Sequence, residues 1–132
     1  MTEGAGPVDA RQVVERYWAA AEGRDWVRFA ALVADDVVYE VPQTRERVRG
    51  RDAYVRFNAE FPGDWHIVVE RVVADADGRR AVSQVTSTLE GSVETGLCFF
   101  EIDDAGRVVR LTDWWPEPYD PPSDRAHLVE RY

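Results

Sequence analysis

The chain has 132 residues and a formal net charge of −9, from 16 basic against 25 acidic side chains, and every basic residue is arginine. That length suits a single domain, 1–132, with a real core, and the acidic balance excludes nucleic acid or an anionic membrane as a default partner, since phosphate surfaces are held by clustered cations. A lone cysteine, Cys98, and only two histidines exclude a disulfide framework and a structural zinc site, so no metal and no cofactor is expected.

There is no basic-then-apolar leader and no run of about 18 apolar residues, which reads as a cytoplasmic rather than a secreted or membrane-spanning protein. The arginine-only usage, with abundant Ala, Val and Asp, is compatible with a GC-rich coding genome.

Residues 1–8 read as a flexible N-terminus. Asp9 has the spacing of an N-cap with Gln12, and Val8 and Val13 stand as a hydrophobic staple. From there Ala10, Val13, Val14, Tyr17, Trp18 and Ala21 follow one helical stripe, with Gly23 as a left-handed stop. Asp25 caps a second short helix carrying Trp26, Phe29, Leu32 and Val33, which Asp35 and Asp36 end. Val37 to Val41 then suit a strand closed by Pro42, and 43–49 is a charged loop or exposed edge strand. Gly50 precedes a third helix over about 52–61, burying Tyr54, Phe57 and Phe61.

From Trp65 the period switches to two, and the remainder predicts an antiparallel meander with strands over 65–74, 80–90, 93–102 and 108–115. The turns are Asp75–Gly78, a two-residue Gly91-Ser92 loop and Asp103–Gly106. The tail, 116–132, is proline-rich, and Ser123 is placed to cap a final helical turn.

Asp113 is the oddity. Its strand would present Val109, Leu111, Asp113 and Trp115 on one face, so a carboxylate stands in line with aliphatic and indole groups. A carboxylate desolvated there needs a partner or shifts its pKa upward, which marks it as structural or catalytic. The turn chemistry predicts Thr86 opposite Leu97, Gln84 opposite Phe99, Phe99 opposite Leu111 and Leu97 opposite Asp113. One face would then collect Gln84, Thr86, Thr88, Thr95, Leu97, Phe99, Leu111, Asp113 and Trp115, a mixture suited to a ligand cavity. The other face would be covered in part by a second subunit.

The order helix, helix, strand, helix and meander, with Arg24-Asp25-Trp26 opening the second helix and Asp113-Trp114-Trp115-Pro116 ending the last strand, resembles the nuclear transport factor 2-like superfamily on its SnoaL-like side. The Pro-Glu-Pro-Tyr-Asp-Pro-Pro tail is similar to that of small bacterial members. The resemblance implies an α+β fold, a cone-shaped, strongly curved antiparallel sheet with three N-terminal-half helices closing over its concave face. It also implies a homodimer through the outer face of the sheet.

For chemistry, it implies a cofactor-independent cyclase, isomerase or dehydratase acting on a hydrophobic, polyketide- or isoprenoid-like molecule, with Asp113 as general acid/base. His66 would assist proton transfer, and a tyrosine would be the oxyanion donor, Tyr17, Tyr39 and Tyr54 being the candidates. Trp18, Trp26, Phe57 and Trp115, with Tyr39, Tyr54, Gln84, Thr86, Leu97, Phe99 and Leu111, are the expected substrate-binding residues, and Trp65 reads as a further wall. The alternatives are a non-catalytic ligand carrier and a dimeric interaction module with the same fold.

Overall fold

The computed structural model describes residues 7–132, and residues 1–6, most of the expected flexible N-terminus, lie outside the described residues. Helix α1 spans Ala10–Glu22, and its N-cap Asp9 accepts the Gln12 N–H at 3.3 Å. Helix α2 spans Trp26–Leu32 with Asp25 accepting from the Arg28 N–H at 3.1 Å. Each cap satisfies an N–H that has no partner inside its helix. The left-handed residue between them is Arg24 at φ 57°, whereas Gly23 is right-handed, so the expected glycine stop sits one residue early. Strand β1 runs Val33–Val41 and takes in Asp35 and Asp36, β2 runs Glu46–Arg49, and α3 runs Arg51–Ala59. Strands β3 (Trp65–Ala74), β4 (Arg80–Leu89), β5 (Ser92–Ile102) and β6 (Val108–Trp114) follow, and a short 3-10 helix spans Ser123–Leu128 with Pro122, not the expected Ser123, at its cap and no side-chain capping bond.

The fold is α+β, but the strongly curved, cone-forming sheet is corrected. Six strands make one open sheet in the order β2-β1-β6-β5-β4-β3, neither closed nor strongly curved. Nor is it wholly antiparallel, since β1 and β6 run parallel. A parallel neighbour arrives by a long crossover rather than a hairpin, so no turn signal announces it. The β3 edge is capped instead of paired: Arg11 Nη2 donates to the Val72 carbonyl at 2.7 Å, Glu22 Oε1 accepts the Ile67 N–H at 2.8 Å, and Arg24 Nη2 donates to the Trp65 carbonyl. Side chains at the beginning and end of α1 thus occupy edge groups that closure would have spent on another strand.

Two turns shape the register. The β4–β5 loop is Glu90-Gly91, both at positive φ, rather than Gly91-Ser92, and it pairs Leu89 with Ser92, Thr88 with Val93 and Gln84 with Leu97. That displacement of two residues keeps each side chain on its expected side. The last turn matches expectation: Asp103 N–H donates to the Arg107 carbonyl at 2.9 Å and Gly106 is left-handed. A bulge then inserts Val109, with Ile102 paired to Val108 but Glu101 paired to Arg110. Beyond it Phe100 faces Leu111 and Cys98 faces Asp113, one residue off the predicted register. A slip of one exchanges faces. Asp113 therefore shares its side with Cys98 and Phe100, whereas Gln84, Thr86, Leu97 and Phe99 look the other way.

The core lies between the helices and this inner face, with Val14, Phe29, Val85, Phe100, Val108 and Leu111 at 1% exposure or less. Gly78 holds the β3–β4 turn against the chain entering α1, since a Cβ there would stand 1.8 Å from the Val8 carbonyl oxygen. Among the described residues no helix is long and apolar enough to cross a membrane, and no group of three or more His, Cys, Asp or Glu could hold a metal ion.

Candidate functional site

Between α1, α3 and the inner face of the sheet lies a cavity of about 190 Å3 with aromatic walls. Helix α1 contributes Tyr17 and Trp18, adjacent positions on its buried stripe, and α3 contributes Tyr54 and Phe57 together with Asn58. Strand β1 brings Tyr39, and the end of β6 brings Asp113 and Trp115. The rings touch one another: Tyr39 lies 4.8 Å from Tyr54 and 5.2 Å from Phe57 between centroids. Such contacts fix the aromatic walls by packing.

Asp113 is 6% exposed and accepts the Tyr39 hydroxyl on Oδ2 at 2.6 Å. Burial pushes its carboxyl above the ordinary carboxylate value, and hydrogen bonds from Tyr39, Cys98 and Trp115 pull it down without cancelling the rise. Tyr17 and Tyr54 hydrogen-bond hydroxyl to hydroxyl, both fully enclosed. Burial, reinforced by the nearby Asp113 charge, drives both phenols well above their ordinary value. They stay protonated, and two hydroxyls sharing one bond leave one O–H free to donate. A buried carboxyl with raised proton affinity and a phenol pair with a spare O–H therefore stand on the wall of the same aromatic cavity.

Other expected site residues fall elsewhere. His66 is exposed, with Nδ1 2.8 Å from Glu22 and Nε2 3.2 Å from Asp64, outside the cavity lining. Gln84 accepts from Arg71 and Thr86 donates to Glu70, while Leu97 and Phe99 share that outer face and Phe99 is 45% exposed. These four placements fail because of the Val109 bulge. Trp26 packs edge-on against Phe29 instead of lining the cavity, and Leu111 is sealed in the core two residues before Asp113 on the same face. Cys98 is buried, its thiol raised by burial and by Asp113.

Trp65 lines the cavity as a wall, in line with its reading as one, whereas Asn58, Ser87 and Glu94 line it without having been expected there. Asn58 stands four residues after Tyr54, a helical spacing that signals a shared face. Ser87 and Glu94 face each other across β4 and β5, and their exposure to the cavity follows only once the inner side of β5 is known to carry its even-numbered residues.

The SnoaL-like domain family matches residues 14–111. Among solved structures, a candidate ketosteroid isomerase from Kribbella flavida is 49% identical over 93% of this chain and 89% of its own, with a TM-score of 0.88. A candidate polyketide cyclase from Xanthomonas campestris is 27% identical over 81% of this chain and 90% of its own, at a TM-score of 0.66. An NTF2-like protein from Burkholderia xenovorans, 22% identical over 93% of this chain and 94% of its own, shares the fold at a TM-score of 0.77. Among curated proteins none matches.

Proposed function

This chain belongs to the SnoaL-like family of NTF2-like proteins, and from that we propose that it is a cofactor-independent cyclase, isomerase or dehydratase for a hydrophobic, polyketide- or isoprenoid-like molecule, with Asp113 as general acid/base. The observation that carries this reading is a buried carboxyl with raised proton affinity on the wall of an aromatic cavity, beside a phenol pair with a donor to spare. The names of the candidate isomerase and the candidate cyclase agree with it.

In this reaction the Asp113 carboxylate takes a proton from a carbon next to a carbonyl, and the electron pair moves onto the carbonyl oxygen. The Tyr17–Tyr54 pair donates a hydrogen bond to that oxygen as charge develops. The protonated Asp113 then returns its proton to another carbon of the same ligand, completing an isomerisation, or the enolate carbon adds to a second carbonyl of that ligand, whose oxygen takes the electron pair of the broken π bond and then the proton from Asp113 as the ring closes. A raised pKa makes the carboxylate a better base for so weak an acid. His66, tied to two carboxylates outside the cavity, has no part in this reading.

The protein is further proposed to work in the cytoplasm as a homodimer through the outer face of its sheet, where Phe99, Trp114 and Val68 are exposed. Asp113→Asn tests the chemistry. Turnover of a cyclic enone or poly-ketone probe should fall by about a hundredfold or more, while probe affinity stays within a few-fold. A second reading, ligand binding without chemistry, draws on the Tyr39 bond that already occupies Asp113; it predicts probe affinity with no turnover in the parent protein.

A further inference from the structure

Trp115 stands just past the end of β6, where the strand ladder no longer holds it, yet its backbone is gripped on both sides. Gln43, in the turn between β1 and β2, accepts the Trp115 N–H on Oε1 and donates from Nε2 to the Trp115 carbonyl at 2.9 Å. One side-chain amide does what a neighbouring strand residue would have done. Beneath the ring lies Gly96. A Cβ at that position would come 2.5 Å from Cζ3 and 2.7 Å from Cη2 of the indole, closer than any side chain allows. The pairing of Leu97 with Trp114 and Cys98 with Asp113 makes Gly96 the next place along β5, so its bare Cα is the seat of the indole. The same indole lines the cavity beside Asp113 and counts among the groups that hold its carboxyl down against the effect of burial.

We propose that Gln43 is a positioning residue for the pocket acid: by holding the Trp115 backbone it keeps the indole seated on Gly96 beside Asp113, setting both the width of the cavity and the surroundings of the carboxyl. Neither Gln43 nor Gly96 lines the cavity, so both act through Trp115. The catalytic consequence rests on the reading of Asp113 as acid/base. The positioning itself does not, because it shows in the free protein.

The test is a substrate-free carboxyl carbon-13 NMR titration, with the Asp113 signal identified by its loss in Asp113→Asn. Removing a donor from a carboxylate raises its pKa, so Gln43→Ala and Gly96→Ala should each move Asp113 upward by about half to one unit. Gln43→Glu, which can accept from the Trp115 N–H but cannot donate to its carbonyl, should fall between Gln43→Ala and the parent. In a Trp115→Phe background, where there is no indole N–H left to place, Gln43→Ala should add no shift, a coupling that independent structural effects would not produce. An unmoved Asp113 in Gln43→Ala and Gly96→Ala, or an equal Gln43→Ala shift with and without Trp115, overturns the inference. Loss of the proposed chemistry alone would appear differently, as absent turnover with these titration shifts intact.

Discussion

Tyr39 and Asp113 are 74 residues apart and meet across the parallel strands β1 and β6, the phenol donating to Oδ2 at 2.6 Å. The bond ties the cavity wall to the strand pairing that joins the first half of the chain to its last strand. Burial and the neighbouring Asp113 charge push the Tyr39 phenol far above its ordinary value, so it stays a donor whatever the state of the carboxyl.

Tyr39→Phe removes that donor while keeping the ring in its stack against Tyr54 and Phe57. The Asp113 pKa should rise further, since a hydrogen bond to the charged form is lost. The fold should lose about 1–3 kcal/mol at neutral pH, as expected when a buried acceptor is left short of a partner. Urea unfolding at pH 7 gives the second quantity and the Asp113 titration the first. Equal stability with an unmoved titration would show the bond to be incidental.

Asp113 also predicts a pH dependence with a definite sign. Its folded pKa lies above the ordinary 3.8, so the folded state holds this proton more tightly than the unfolded chain. The stability it contributes is complete below the unfolded value and is lost as pH rises through the folded one. Asparagine cannot titrate. The stability of the parent relative to Asp113→Asn should therefore decline from acid toward neutral pH, and urea midpoints at a series of pH values measure this. Comparing the two proteins cancels the other carboxylates, and a difference that grows with pH would contradict the raised proton affinity.

Much of the architecture was legible because it is written in local chemistry. The caps at Asp9 and Asp25, the alternation from Arg110 to Trp114 and the left-handed Gly106 each follow from a few neighbouring residues. Asp113, Tyr17, Trp18, Tyr39, Tyr54, Phe57 and Trp115 could be placed on the cavity because they are large or anomalous on otherwise apolar stripes. What could not be read is non-local. The last hairpin is in its predicted register at Ile102 and Val108 and out of it one pair later, because Val109 bulges, and nothing in Arg107-Val108-Val109-Arg110 distinguishes a bulge from a regular strand. That single residue turned Gln84, Thr86, Leu97 and Phe99 away from the cavity. The parallel pairing of β1 with β6 and the openness of the sheet likewise depend on where distant edges come to rest.

Trp18 and Ser83 form a second buried contact that sequence alone does not disclose. The indole N–H donates to the hydroxyl at 3.0 Å between α1 and β4, and Ser83 is fully buried. Ser83→Ala leaves the indole N–H with no acceptor and should cost about 1–3 kcal/mol. Trp18→Phe in the same background removes the orphaned donor, so the double variant should cost less than the sum of the two single changes. A thermodynamic cycle from urea unfolding measures that coupling. Strict additivity would mean that the contact contributes nothing.

His66 lies outside the cavity, but its surroundings predict a pH window for the join between α1 and β3. Glu22 Oε2 is 2.8 Å from Nδ1, Asp64 is 3.2 Å from Nε2, and Arg24 lies 3.6 Å over the ring of Trp65, a cavity wall. The hydrogen bond and charge of Glu22 raise the histidine above its ordinary 6.5. Burial pushes the Glu22 carboxyl up, yet hydrogen bonds from His66 and the Ile67 N–H, helped by both cations, leave it net below its ordinary 4.5. The signs are opposite. The histidine's contribution is complete below 6.5 and is lost as pH rises through its folded value; that of Glu22 is complete above 4.5 and is lost as pH falls through its own. Both are present between about pH 5 and 6.5, so the stabilisation of the parent over His66→Gln should peak there and shrink on either side. Melting temperatures of the two proteins from pH 3 to 9 in low salt test this, and because the groups are exposed the peak should flatten at 1 M salt. A difference that is flat across the range would mean that the contact carries no net attraction.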